Sequence, residues 1–344
     1  MVGTNICFDP GTCNIALWVD GKGTVVNEPS VIAFDAETEK ISAIGKKAYD
    51  MTGRNSDWVD VLRPIKNGSV FDFQTMQSVL SYYVQKLCGS KVLKPNILVC
   101  IPCESNTVDK RTIIDLATAS GAAKACVVEE PLAAAVGAGI DVNDYHGTLV
   151  VDIGGGTTDI AVVARGMICV SKCLKYAGNS FDEAIINYIK KEKEIIIGKI
   201  TAEKVKKEIG CTSFLEAELA MRAVGKDILT GLPKEIEITS ADVFMSIREQ
   251  LETIAEEIRL LLEKTPPELS ADISENGLII TGGSAYLKGI AKFFEYRTGI
   301  PARIAAEPEK CVMNGLAKLS KSKKLLERNA CFYKTRQELG YDEY

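Results

Sequence analysis

LVVDIGGGTTDIAVVARG, Leu149–Gly166, is the stretch on which the fold turns. Its flanks, Leu149-Val150-Val151 and Ile160–Ala164, are apolar and rich in β-branched residues, and runs of this length favour strands. Between them lie Gly154, Gly155 and Gly156, then Thr157 and Thr158. An ordinary hairpin is one reading, because glycine supplies positive φ. A tight turn needs only one glycine. Three in succession strip the side chains from the tip and leave backbone N–H groups, which suit an anion. The threonines add hydroxyl donors, and Asp152 at the strand end suits a hydrated Mg²⁺. Phosphate binding is the favoured reading. A P-loop would need a Lys-Ser/Thr pair and a following helix, and a Rossmann turn would also run into a helix. Here a strand follows.

A second stretch repeats the pattern. In NICFDPGTCNIALWVDGKG, Asn5–Gly23, an apolar strand reaches Asp9-Pro10-Gly11-Thr12 and a second strand runs through Trp18-Val19. Asp9 and Asp152 are separated by nearly half the chain. Two such hairpins imply an internally duplicated, two-lobed fold with a cleft between the lobes. Strands and helices alternate around both hairpins, as in α/β lobes with mixed sheets. Val25–Asp35 reads as one strand, 74–87 as a helix, and Pro95–Pro102 as a buried strand. Asn106 caps a helix that stops at Gly121. Further helices are expected at Phe181–Lys193 and Thr201–Gly210, with 211–239 irregular or strand-like. Ser240 is the expected cap of a long helix whose apolar residues Val243, Ile247, Leu251, Ile254, Ile258 and Leu261 fall three and four apart. Gly277–Gly283 is a strand entering a glycine turn, and Cys311–Leu319 a short helix.

The bulk numbers bound the function. A chain of 344 residues, 46% hydrophobic and 25% charged, is ordinary for a soluble globular protein and long enough for two domains. The net charge of −5 gives no basic excess to neutralise phosphates, so nucleic acid is not an expected partner. No apolar run reaches the roughly 18 residues of a membrane span. MVGTNICFDPG reads straight into a strand, with no signal peptide expected, and the eleven cysteines then point to a reducing cytoplasm. Cys100-Ile101-Pro102-Cys103 is a C-x-x-C, but it ends an apolar strand, has no second pair nearby, and reads as small buried hydrophobes. His146 lies in a polar stretch and reads as a loop residue.

Five segments now line up: Asp9–Asn14, Glu129–Gly139, Asp152–Asp159, Thr281–Gly283 and Cys311–Ala317. Together they resemble the ATPase signature of the actin, sugar kinase and heat-shock chaperone superfamily. GKGTVVNEPSVIAFD, RPIKNGSV, EEPLAAAVGAG, VVDIGGGTTD, TAEKVKKEIG and EKTPPELSADI narrow the resemblance to the MreB family of bacterial actin homologues, from about Ile6 to Lys318. The implied fold is α/β and actin-like (ribonuclease H-like), two-lobed, with duplicated mixed β-sheets. Lobe I would be 1–145 plus 316–344, with a small subdomain at about 32–66. Lobe II would be 146–315, with a small subdomain at about 179–239.

The resemblance also implies ATP or ADP with Mg²⁺ as cofactors. Asp9 and Asp152 would hold the metal through waters. Gly11, Thr12, Cys13 and Asn14 would face the phosphates, as would Gly154, Gly155, Gly156 and Thr157. Glu130 would orient the attacking water with help from Thr157, and phosphoryl transfer needs such positioning more than covalent help. The residues alone leave Glu129 and Glu130 equal, as acidic charges opening a helix before Pro131; the family match picks Glu130. Glu203 and Lys206 match ribose and adenine contacts, and also read as a solvated i,i+3 ion pair. Gly282 and Gly283 would let backbone approach the adenosine. Pro10, Asn179 and Ser284 depart from the leucine, aspartate and glycine usual at their positions.

A member of this family would be a slow Mg-dependent ATPase coupled to assembly, a cytoskeletal protein that determines cell shape. Its partners would be further copies in double protofilaments, the inner face of the cell membrane, and paralogues. Val92 and Leu93, in GSKVLKPN, match the family's apolar membrane loop, and read equally as an exposed turn. Burying both yields roughly 2–4 kcal/mol, which a filament would multiply by avidity. The basic, partly apolar tail from Lys318 reads as a lipid-surface helix or a solvated one. The alternative is a non-polymerising ATPase of the same fold, a small-molecule kinase or a chaperone type.

Overall fold

The computed structural model describes residues 4–53, 58–88, 94–141, 144–322 and 326. In the first half, β1 (Asn5–Pro10), β2 (Asn14–Val19) and β3 (Gly23–Pro29) form an antiparallel meander. A small sheet follows, of β4 (Ile32–Asp35), β5 (Ile41–Ile44) and β6 (Val59–Leu62), with α1 (Lys46–Met51) packed on it through Ala48. β7 (Ile65–Lys66) and β8 (Ser69–Val70) make a short ladder. Then come α2 (Phe73–Cys88), β9 (Asn96–Ile101), α3 (Thr107–Ala119), β10 (Lys124–Glu129) and α4 (Glu130–Gly137). β9 runs parallel to both β1 and β10, so the main sheet has the order β10-β9-β1-β2-β3.

The second half begins with β11 (Thr148–Ile153), β12 (Thr158–Ala164) and β13 (Met167–Leu174), followed by α5 (Gly178–Lys193). β14 (Ile195–Ile196), β15 (Ala220–Asp227) and β16 (Pro233–Thr239) form a small antiparallel sheet, with α6 (Lys199–Ile209) between β14 and β15 in the chain. The chain continues through α7 (Ser240–Glu263), α8 (Pro267–Asn276), β17 (Leu278–Thr281), α9 (Ile290–Thr298), β18 (Ala302–Ile304) and α10 (Cys311–Leu319). The second main sheet has the order β13-β12-β11-β17-β18, with β17 parallel to β11 and β18. Strand for strand this repeats the first sheet, β11 standing where β1 stands and β17 where β9 stands. The duplication read from the two Asp-Gly turns is present in the topology.

Compactness divides the chain into Met1–Tyr145 with Val163–Ile168 and Lys310–Tyr344, and His146–Val162 with Cys169–Glu309. Each unit has its own core. Ile6, Phe8, Leu17, Met76, Leu80 and Val99 anchor the first, and Leu149, Val151, Phe181, Ile185, Ile247 and Phe294 the second. β9 and β11 are buried almost throughout and read as near-continuous apolar runs, as interior strands with parallel neighbours do. Among the described residues no helix is long and apolar enough to cross a membrane.

Several local expectations change. Val25–Asp35 is two strands in different sheets. Pro29 lacks the N–H a ladder needs, and Ser30 N instead donates to Cys13 O at 2.8 Å, turning the chain out of the sheet. The cap of α7 is Thr239, one residue before Ser240. Its hydroxyl accepts from Asp242 N (3.3 Å) while the Asp242 carboxylate accepts from Thr239 N (2.9 Å), a reciprocal capping box. Within 211–239 the paired strands β15 and β16 are well formed.

Candidate functional site

In the first unit, β1, β9 and β10 are parallel neighbours, so their C-terminal ends bring Asp9, Cys100 and Glu130 together. Their ligating atoms all lie within 4.8 Å of one another. The Cys100 thiol donates to Asp9 Oδ1 at 3.2 Å. Burial pushes the Asp9 carboxyl up to about 6, against the lowering effect of that thiol. The adjacent glutamates separate here. Glu129 is paired with Lys110 of α3 at 2.8 Å, whereas Glu130, the first residue of α4, joins the Asp9 group.

The turn Gly11–Cys13 joins β1 to β2. Pro10 closes β1 opposite Ile15, a strand end where proline costs little. Thr12 is buried. Its hydroxyl accepts from Gly68 N at 3.0 Å, and its carbonyl accepts from Arg63 Nη1 at 3.4 Å. Thus the RPIKNG segment holds the first turn from outside. Asn14, at the start of β2, is exposed.

In the second unit, Asp152 is buried near the end of β11, in register with Thr281 of β17. The Thr281 hydroxyl donates to Asp152 Oδ1 at 2.6 Å. Gly154 N donates to Thr157 O at 2.9 Å, closing the glycine turn. Gly154 O accepts from Gly178 N (3.1 Å) and from Ser284 Oγ (3.3 Å), and Gly155 O from Asn179 N (2.8 Å). Within the turn Gly156 and Thr157 are buried, and the Thr158 hydroxyl is spent on Tyr176 O at 2.6 Å. Gly282 has φ +84°, and a Cβ there would fall 2.3 Å from Ile153 O, so only glycine fits. At Gly283 a Cβ would meet nothing within 4 Å, so packing does not demand its bareness.

Glu203 and Lys206 share α6 but not each other. The Glu203 carboxylate accepts from Lys207 Nζ at 2.6 Å. Lys206 Nζ, largely buried, lies 2.8 Å from Asp182 Oδ1 and donates to Gly178 O at 2.6 Å. Burial raises the Asp182 carboxyl to about 6, outweighing the Lys206 charge beside it.

Cys100 and Cys103 are buried, as expected, but Cys100 is also a polar partner of Asp9. Sequence reasoning missed Cys100, Thr281, Arg63, Asp182 and Ser284 as members of these arrangements. The available signal was position: Cys100 and Thr281 each stand at the end of an apolar strand parallel to one bearing a candidate aspartate. Val92 and Leu93, and most of the basic tail, lie outside the described residues.

Both candidate metal residues are carboxylates, the hard oxygen donors that Mg²⁺ takes. Asp9, a half-buried acid whose ionisation is disfavoured, is one that a cation would stabilise. The donor chemistry fits the ion.

Two equivalent sheets, each with an aspartate near the end of its central strand and a glycine-containing turn after it, define an actin-like α/β protein. The chain belongs to the MreB/Mbl protein family, whose model matches residues 3–328. It is 42% identical over 319 residues to the cell shape-determining protein Mbl of Bacillus cereus, covering 92% of this chain and 95% of that one. Against the cell shape-determining protein MreB of Escherichia coli K12 it is 35% identical over 321 residues, 92% of each chain. Crystal structures of MreB5 of Spiroplasma citri share 36% identity. The AMPPNP-bound form superposes with a TM-score of 0.91 over 95% of this chain and 99% of that one. The ADP-bound form gives 0.90 over 95% and 98%.

Proposed function

We propose that this chain is a cytoskeletal ATPase that binds ATP with Mg²⁺, polymerises into double protofilaments, hydrolyses ATP slowly, and sets or maintains cell shape. The observation that carries it is the duplication itself: Asp9 and Asp152 stand at matching strand ends, each followed by a glycine-containing turn. The convergence of Glu130 on Asp9 supplies the hydrolytic group. MreB5 of Spiroplasma citri, similar over nearly the whole chain, was solved with ADP and with AMPPNP. Mbl of Bacillus cereus is named for cell-shape determination.

Asp9 and Asp152 are the carboxylates for the metal's water shell. Bound Mg²⁺ would neutralise charge on the phosphates. Cys100 and Thr281 fix the two carboxylates, each by a hydrogen bond to one oxygen. Gly11–Asn14 and Gly154–Thr157 bind the phosphates. Glu130 orients the attacking water and accepts its proton, with Thr157 assisting. Gly282, Gly283 and Glu203 serve the adenosine side, whereas Lys206, matched to an adenine contact by the family pattern, is held by Asp182 and Gly178 and acts on the nucleotide through them. ATP-bound chain favours assembly and hydrolysis weakens that preference, a difference in affinity between two states. Association with the inner membrane face through Val92 and Leu93, co-assembly with paralogues, and lobe boundaries at 1–145 plus 316–344 and 146–315 belong to the same reading.

The test is sedimentation with electron microscopy of the purified chain in Mg-ATP, in Mg-ADP and without nucleotide. ATP-dependent double filaments are expected. Their absence under every condition, with and without anionic lipid, returns the chain to the small-molecule kinase alternative.

A further inference from the structure

The side chain of Lys206 is engaged by Asp182 and Gly178, and the peptides it touches lead to the glycine turn. Lys206 Nζ donates to Gly178 O at 2.6 Å. The N–H of that same peptide unit is Asn179's, and it donates to Gly155 O at 2.8 Å. The N–H of that unit in turn is Gly156's. In parallel, Gly178 N and Ser284 Oγ both donate to Gly154 O, at 3.1 and 3.3 Å, and the N–H of that unit is Gly155's. The described residues contain no cis peptide. In a planar trans peptide the N–H points opposite to the C=O. Tying the carbonyls of Gly154 and Gly155 back to α5 therefore aims the N–H groups of Gly155 and Gly156 away from it. Gly178 is the hub: a Cβ there would lie 3.3 Å from each of Gly154 O, Lys206 Nζ and Ser284 Oγ.

We propose that Lys206 and Ser284 are positioning residues for the phosphate-binding turn, orienting the Gly155 and Gly156 amides toward an anionic phosphate through the peptides of Gly178, Asn179, Gly154 and Gly155. The inference deepens the nucleotide reading and rests on it. A cation at the head of a hydrogen-bonded chain polarises every bond behind it, so the last N–H becomes a stronger donor to a phosphate oxygen. Asp182, 2.8 Å from Lys206 Nζ, holds the ammonium in place. Ser284 is then no casual departure from glycine, because its hydroxyl supplies the second donor to Gly154 O.

The experiment measures ADP and adenosine affinity by calorimetry, with Mg²⁺, for the full chain, Lys206→Met and Ser284→Ala. Adenosine carries no phosphate, so it reads the adenosine side alone. For Lys206→Met, ADP binding is expected to weaken about tenfold, the size of a lost charge-assisted hydrogen bond, with adenosine binding unchanged. Ser284→Ala is expected to show the same selectivity with a smaller loss, and carries the test if Lys206→Met does not fold. Equal weakening of ADP and adenosine makes Lys206 a direct adenosine ligand and overturns the proposal. So does unchanged ADP affinity in both variants. A wild-type chain that binds no ADP overturns the nucleotide reading itself, a result distinct from either.

Discussion

Cys100 and Asp9 show how much a single contact can carry. The thiol is fully buried and spends its donor on Asp9 Oδ1. Replacing it with valine removes a hydrogen bond from a carboxylate already disfavoured by burial. The Mg²⁺ concentration that half-saturates binding of a fluorescent ADP should rise by about two- to tenfold in Cys100→Val, the range of one such bond. In Cys100→Ser, which keeps a donor, it should stay within about twofold. Equal behaviour of the two variants would make Cys100 packing alone. Asp182 gives a pH prediction. Its folded pKa of about 6 lies above the ordinary value of 3.8. Between those values the folded chain binds a proton that the unfolded chain does not, so this group adds stability as pH falls and loses it as pH rises through about 6. Relative to Asp182→Asn, wild type should gain up to about 1.4 kcal/mol per pH unit between pH 6 and 4. Urea unfolding of both chains at pH 7 and pH 5 reads this, and a constant difference would contradict it.

At the scale of elements, α4 carries Glu130 at its first residue and packs directly on α10. The approach is backbone to backbone. A Cβ on Gly315 would lie 1.7 Å from Ala133 O, and one on Gly137 1.8 Å from Cys311 O. Gly315→Ala must push the helices apart, costing about 1–3 kcal/mol and displacing Glu130. A lower urea midpoint together with reduced phosphate release is expected, while an unchanged midpoint would contradict the packing. This contact was not legible in the sequence, where Gly137 and Gly315 look like interruptions of short apolar helices. Nor did the residues alone separate Glu129 from Glu130, adjacent acids at the start of α4; the Lys110 ion pair and the Asp9 group separate them in space. Strongly periodic elements such as α7 were legible, but its cap fell one residue off because Thr239 and Ser240 are chemically equivalent and the Asp242 partner decided between them. α8 and α9 were missed because they are short, with one and two buried apolar residues respectively.

At the scale of the molecule, the duplication was legible because the two hairpins repeat apolar strand, aspartate, glycine and threonine in the same order. The topology repeats with them. What a linear pattern cannot carry is convergence between distant segments. Asp152 meets Thr281 and Gly154 meets Ser284 only because β17 inserts beside β11. The account makes assembly and hydrolysis separable, since the residues proposed to bind phosphate and metal differ from the one proposed to orient water. The measurement that tests this most directly follows phosphate release and pelleted polymer in the same Mg-ATP sample, for wild type and Glu130→Ala. Wild type should release phosphate as polymer forms, and Glu130→Ala should polymerise with release slowed about 100-fold, the scale of one general base. Unchanged release in Glu130→Ala, or no ATP-dependent polymer in wild type, would contradict the account.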